Sequence, residues 1–418
     1  MKQILPAPVV MIVTIQMLTM ILIPGFQKSY AQTLTQKLAK AFAQFEQDPQ
    51  LKYAISSLYV TESASGRVIF AGKATTGLAP ASTQKLITST AALDVLGKDF
   101  RFTTYFALEG NTLYIFPSGD PTLGSERWEN TKAAALFERI TTWLKAQDAR
   151  IDTLIIIKNN WASQDIPDGW VWQDIGNYYG AAAAPLNWRE NQFDLLLQSG
   201  KQPGDPVRIM ETDPQLYEYQ LVSEAYSAAK GSGDNAYIYF PLTGKAGSVK
   251  GTIPVNETAF VISGALPSGV RQFTGELSRK LITAGLSDSL IIRKSPKERS
   301  FGEFKNIHVE KSPSLDSIVY WFNKKSINLY GEALLKAIGL KEAASASTDT
   351  GVSRIRRFWR HKGVDENEIN IVDGSGLSPL NRVTTHSEVQ VLAYAQKQPW
   401  FPVLLNSLPV YNGIKMKS

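Results

Sequence analysis

Apolar and polar positions along this chain fall into three textures. The first is an almost unbroken apolar run over residues 9–23, preceded by Lys2 and closed by Pro24 and Gly25. It is short for a bilayer span, and Ser29-Tyr30-Ala31 offers small residues where a leader would be cut. Residues 1–31 therefore read as a secretory signal peptide. The other reading of the same run is an uncleaved N-terminal anchor. Both send the rest of the chain out of the cytoplasm, to the periplasm or the exterior of the cell envelope.

The second texture is helical with a short β element. Leu38, Ala41, Phe42 and Phe45 recur on one face, so a helix is expected over residues 33–47. Strand-like runs at 53–61 and 67–71 flank Glu62-Ser63-Ala64-Ser65-Gly66, a hairpin pattern. A further helix starts near Ser82, carries Leu86, Ile87, Ala91 and Leu93, and stops at Gly97. From residue 99 to 286 the third texture takes over. Short β-rich runs at 102–108, 112–116, 153–157, 207–210, 236–240 and 259–262 are punctuated by Gly, Pro and Asp, with helices near 132–146 and 271–284. Helical patterns return at 315–325, 329–338, 353–361 and 387–396. The simplest organisation is a helix-rich α/β (α+β) domain, made of residues 32–98 and 287–418, split by a β-rich insertion at 99–286 large enough for two subdomains.

Composition narrows the chemistry. The chain has no cysteine, which excludes disulfides, cysteine nucleophiles and thiolate metal sites. Its three histidines, His308, His361 and His386, form no local metal pair and sit in no triad motif, so neither cofactor nor metal is expected and the base of any enzyme here is not histidine. The net charge of +6 falls to +4 without Lys2 and Lys28 of the leader, and the remaining charges are mixed in sign. A nucleic-acid partner would want a clustered basic face, which is missing. The excess supports at most a weak association with a membrane or an anionic wall.

Ser82-Thr83-Gln84-Lys85 is the first candidate for chemistry. Residues three apart on a helix are neighbours, about 5–6 Å between Cβ atoms. A serine hydroxyl needs a base to become a nucleophile, and a desolvated lysine amine can serve. A helix N-terminus adds a positive dipole end where negative charge develops. The same spacing recurs at Ser227-Ala228-Ala229-Lys230, but Gly231-Ser232-Gly233-Asp234 follows at once, so that copy reads as a decoy. The second element is Ser326-Ile327-Asn328, a short polar link between two helical stretches, suited either to aiming a hydroxyl and a carboxamide into a cleft or to capping a helix.

Around these two elements stand Pro80-Ala81-Ser82-Thr83-Gln84-Lys85-Leu86, Ser118-Gly119-Asp120-Pro121-Thr122-Leu123, Trp172-Gln173-Asp174-Ile175-Gly176-Asn177-Tyr178-Tyr179-Gly180, Ser326-Ile327-Asn328-Leu329-Tyr330-Gly331-Glu332 and Asp373-Gly374-Ser375-Gly376-Leu377-Ser378. Together they resemble the class C low-molecular-mass penicillin-binding proteins, the D-Ala-D-Ala carboxypeptidase/endopeptidase family, over essentially everything after the leader. The resemblance implies a transpeptidase-like fold, an antiparallel sheet flanked by helices with large β-rich inserted domains, and a covalent mechanism on peptidoglycan stem peptides. Ser82 would attack the carbonyl between two D-alanines, Lys85 would take its proton, Ser326 would pass a proton to the departing amine and Asn328 would hold the peptide. β-Lactam antibiotics would act as covalent inhibitors. The long insertion separates this pattern from β-lactamases. The rival from another class is a non-catalytic wall-binding protein that keeps the fold.

The family's third motif is Lys-Thr-Gly or Lys-Ser-Gly on a strand lining the cleft, where lysine and hydroxyl receive the substrate carboxylate. The expectation here is that Lys417 and Ser418 are its first two residues, led into by Leu408-Pro409-Val410-Tyr411-Asn412-Gly413, and that the C-terminal strands beyond are missing. Losing an oxyanion donor with them would cost about 10²–10³ in rate. Milder readings apply elsewhere. Asp373-Gly374-Ser375-Gly376 is expected to be a tight turn with positive-φ glycines, Trp170, Trp172, Tyr178 and Tyr179 to be core, and Asp120 or Asp174 to face the cleft.

Overall fold

The computed structural model describes residues 32–158, 160–162, 164–295, 298–342 and 345–410. The expected leader and the Lys417–Ser418 pair lie outside the described residues.

Helix α1 (Leu34–Glu46) is opened by Thr33, whose hydroxyl accepts from the Gln36 N–H while the Gln36 side chain accepts from the Thr33 N–H. This reciprocal cap fixes the start of the helix. Strands β1 (Leu58–Thr61) and β2 (Val68–Gly72) pair antiparallel through the expected hairpin, with Gly66 in the left-handed region. Phe42 of α1 packs edge-on against Phe70 of β2, and Tyr59 of β1 against His386 across the strand pair. The hairpin is thus the layer between α1 and the helical body, and among the described residues this sheet has two strands.

That body gathers α2 (Lys85–Val95) with helices from the far end of the chain. A long intervening stretch comes before them: β3 (Thr103–Glu109), β4 (Thr112–Phe116), α3 (Ala133–Ala146), β5 (Thr153–Ile156) and, after six further strands, α4 (Gly269–Thr283). The six are β6 (Gln192–Gln198), β7 (Arg208–Asp213), β8 (Gln220–Ala228), β9 (Asn235–Tyr239), β10 (Ala246–Pro254) and β11 (Phe260–Ala265). Then come β12 (Ile291–Lys294), β13 (Asn306–Lys311), α5 (Leu315–Lys324), α6 (Asn328–Glu342), α7 (Thr348–His361), the short pair β14 (Ile369–Asn370) and β15 (Arg382–Val383), α8 (Thr385–Ala395) and α9 (Phe401–Ser407). Ile87 and Leu93 of α2, Phe322 of α5, Leu334 of α6, Trp359 of α7, Val391 of α8 and Leu404 of α9 share one buried cluster.

The inserted strands build two main separate cores, beside a small cluster of Ala107, Phe116, Ile157 and Phe304. A five-stranded sheet in the order β12-β5-β4-β3-β13 carries α3 and α4, with Phe106, Leu113, Phe137, Leu154, Trp188 and Phe273 buried between them. Two three-stranded sheets, β11-β6-β7 and β8-β10-β9, enclose a second core around Phe193, Leu195, Ile238 and Val249. β12 and β13 lie beyond residue 286, where the sequence pattern ended the insertion; their ladders to β5 and β3 carry this sheet on to Lys311. Parallel pairing joins β4 to β5, β5 to β12 and β8 to β10. β10 escaped the sequence pattern because its glycines and terminal proline hide it, and it is held by neighbours on both sides.

Candidate active site

The chain enters the site through Ala81, which holds a left-handed φ of 46° and turns the backbone sharply before Ser82. Residues Ala81–Gln84 form one 3-10 turn that runs straight into α2 at Lys85. The turn leaves Ser82 exposed, while Lys85, at the head of an apolar helix, is 3% exposed. Three-residue spacing then brings Lys85 Nζ to 3.1 Å from Ser82 Oγ.

The second element arrives from 244 positions along the chain. α5 ends at Lys324 with Lys325 as its cap, and Ser326 takes a left-handed φ of 54°, which breaks the helical path so that α6 restarts at Asn328. A non-glycine residue in this region is strained, and such strain concentrates at functional sites. Ser326 is exposed, with its Oγ 2.7 Å from Ser82 Oγ. Asn328 is buried, accepts from Lys85 Nζ at 2.7 Å on Oδ1 and donates from Nδ2 to the Tyr179 carbonyl at 2.8 Å. The expectation was a carboxamide aimed at the substrate; here Asn328 first holds the lysine and ties it to the insertion, leaving one N–H of Nδ2 for another acceptor.

The third acceptor around Lys85 is the Ser375 carbonyl at 2.8 Å. An ammonium has three donors, and this one has three acceptors, Ser82 Oγ, Asn328 Oδ1 and Ser375 O. Burial lowers the amine to about 8, against partial opposition from Glu332 and then Asp373.

Sequence reasoning took residues 373–376 for a turn away from the chemistry, and the structure corrects this. Gly376 does have a left-handed φ of 86°, but Gly374 does not. Gly374 is required for closeness instead: a Cβ there would lie 2.3 Å from the Gly331 carbonyl of α6. Asp373, fully buried, accepts on Oδ1 from Gln84 Nε2, the Gly376 N–H and Asn381 Nδ2, and on Oδ2 from Trp170 Nε1 and the Ser378 N–H. Five donors on one carboxylate lock the loop into the wall of the site. The available signal was polar residues, Asp373 and Glu332, inside otherwise apolar surroundings.

Other expectations divide. Ser227 and Lys230 form no such pair: Ser227 is the penultimate residue of strand β8 and accepts from the Gly200 N–H at 2.9 Å, while Lys230 is exposed in the turn that follows. Asp120 does not face the cleft; it is buried, bonded to the N–H and hydroxyl of Thr122, and raised to about 6 by burial. Trp170 is core, as its Nε1 bond to Asp373 requires, but Trp172 and Tyr178 are exposed. Asp174 is half-buried beside Tyr179, the residue whose carbonyl holds Asn328, and burial raises its carboxyl. Among the described residues no helix is long and apolar enough to cross a membrane.

Residues 37–413 match the D-Ala-D-Ala carboxypeptidase 3 (S13) family. The chain belongs to this family. Membership brings the enzyme class with it, a carboxypeptidase and therefore a hydrolase. A D-alanyl-D-alanine carboxypeptidase of Actinomadura sp. (strain R39) is 28% identical over 421 residues, spanning 96% of this chain and 76% of the relative. The D-alanyl-D-alanine carboxypeptidase DacB of Haemophilus influenzae is 24% identical over 346 residues, spanning 79% and 68%. Among solved structures, penicillin binding protein 4 (dacB) from Haemophilus influenzae superposes with a TM-score of 0.71 at 22% identity, covering 84% of this chain and 77% of that one. The last comparison establishes the shared fold, mixed α+β with the helical body and the inserted sheets.

Proposed function

We propose that this S13 chain is an exported serine-type D-Ala-D-Ala carboxypeptidase/endopeptidase that cleaves peptidoglycan stem peptides through an acyl-enzyme on Ser82. The observation that carries the reading is the pairing of Ser82 Oγ with Lys85 Nζ at 3.1 Å and Ser326 Oγ at 2.7 Å, one serine between a buried amine and a second hydroxyl. Lys85 as free amine accepts the Ser82 proton as Oγ bonds to the carbonyl carbon. Ser326 gives its proton to the departing D-alanine nitrogen and is refilled from the lysine ammonium as the C–N bond breaks. Water then attacks the Ser82 ester, its proton passes to Lys85 and from there to Ser82 Oγ as the ester C–O bond breaks, and the shortened peptide leaves with Ser82 and the free amine restored. Asn328 orients both the amine and the bound peptide. Lys417 and Ser418 are assigned to the substrate carboxylate from the sequence resemblance, and residues 1–31 to export to the periplasm. The region between the two halves of the catalytic domain is read as two inserted domains, one for each separate core.

The test is an intact-mass measurement of the chain after incubation with benzylpenicillin, beside Ser82→Ala. One whole penicillin added to the parent and none to the variant is the expected result. An adduct that persists in Ser82→Ala would place the nucleophile elsewhere. Rapid release of hydrolysed penicillin would instead indicate a β-lactamase, and a folded chain with no adduct would favour the wall-binding reading.

A further inference from the structure

α6 is an apolar helix with one polar stripe. Asn328, Glu332 and Lys336 follow at intervals of four, the spacing that stacks side chains on one face. All three are buried, Glu332 and Lys336 completely. Burying charge is costly unless partners compensate it, and apolar residues at such places often serve stability as well or better. A purely structural helix has no need of the stripe.

Its neighbours suggest a use. Both oxygens of Glu332 accept from the Gly374 N–H, at 3.1 and 3.0 Å, and the Ser375 hydroxyl also bonds to this carboxyl. The next carbonyl along, that of Ser375, is the one that holds Lys85 Nζ. On the other side Thr88 of α2 donates to the Gly374 carbonyl at 2.7 Å, so the loop is gripped between the two helices that carry the site. Lys336, one turn beyond Glu332, donates to the Ala183 and Asp165 carbonyls at 2.6 and 3.1 Å.

We propose that Glu332 is a positioning residue, which seats Lys85 through the Gly374–Ser375 peptide and, when ionised, faces it as a buried counter-charge. The proposal rests on the reading of Lys85 as the base. The charged and titratable groups facing this pair are Asp373 from the loop, Lys336 from α6 itself and, beyond Lys336, Asp165 from the insertion; the Phe322 ring of α5 lies 5.7 Å from the amine. Asp373 is saturated by five donors, whereas Glu332 keeps two polar contacts and answers to the charge around it. Burial raises the Glu332 carboxyl to about 8, the same range to which burial lowers Lys85, so Glu332 gains its charge as Lys85 titrates; it is the larger of the two acidic influences that hold Lys85 up, and burial also lowers Lys336.

Glu332→Gln keeps the shape and one acceptor for Gly374 while removing the charge. Without the share of negative charge that Glu332 carries near pH 8, the charged amine is less favoured, so the protonation midpoint of Lys85 must fall. Competitive labelling with acetic anhydride across pH, read on the Lys85 peptide by mass spectrometry, reports that midpoint without requiring activity. A fall of about one pH unit is expected, with the acid limb of penicillin acylation moving by the same amount and Glu332→Asp restoring most of it. An unmoved midpoint, even with slower acylation, would reduce Glu332 to a structural residue and overturn the proposal. If Glu332→Gln does not fold, Ser375→Ala keeps the carbonyl but strips the hydroxyl from Glu332. The midpoint should then fall by a smaller step, and no movement there would equally overturn it. Absence of any penicillin adduct in the parent would strike the Ser82 reading alone, because the labelling arm is independent of it.

Discussion

At the scale of single residues the site works by contrast of environment. Ser82 and Ser326 are exposed and Lys85 is buried, so substrate can reach the hydroxyls while the amine is kept from water. Desolvation disfavours the ammonium, and its lowering to about 8 sets a sign for activity. On the proposed role of Lys85 the base must be unprotonated, so acylation by benzylpenicillin should rise about tenfold per pH unit below 8 and level off above it. A rate profile from stopped-flow quenching of protein fluorescence would check this, and a flat profile from pH 6 to 9 would remove Lys85 from the role of base. The serine, the lysine and the Ser-x-Asn link were legible in the sequence because their spacing is local. That Asn328 spends its oxygen on Lys85 was not legible, because that bond joins residues 243 positions apart.

At the scale of elements, the catalytic turn is held in place by backbone contact. A helical start near Ser82, the stop at Gly97 and the break at Ser326 follow from capping preference and spacing, and these were readable; that the first turn is 3-10 and the α-helix begins only at Lys85 was not. The loop at 373–376 was not, since a turn motif reveals its own shape and not its destination. Gly376 shows the destination: its φ is 86°, and a Cβ would come within 1.9 Å of the carbonyl of Ala81, the residue before Ser82. Gly376→Ala should therefore lower stability by roughly 2 kcal/mol or more and slow penicillin adduct formation. Thermal unfolding beside adduct mass would show both; an unchanged melting temperature would mean that the loop can withdraw without cost.

At the scale of the whole molecule, the insertion is fastened to the catalytic helices by a buried polar knot. Glu190, itself in a left-handed conformation, accepts from Ser125 Oγ at 2.6 Å, Arg127 Nε at 2.8 Å and the Tyr330 hydroxyl of α6 at 2.7 Å. Glu190→Ala leaves a partly buried guanidinium and a buried phenol without their acceptor, a loss of roughly 3 kcal/mol, and should lower the denaturation midpoint in guanidinium chloride. No change in that midpoint would mean that the insertion and the body are joined elsewhere. The sequence by itself determined the class of fold, the helices that carry the motifs and the Ser82–Lys85 pair, because periodicity, caps and short spacings act within a few residues. Only the tertiary structure decided that α6 and the loop at 373–376 close around Lys85, that Trp172 and Tyr178 stay exposed and that the five-stranded sheet runs on to Lys311. Those outcomes depend on hydrogen bonds and burial between segments tens to hundreds of positions apart, and no local pattern encodes which distant partner a polar group will find.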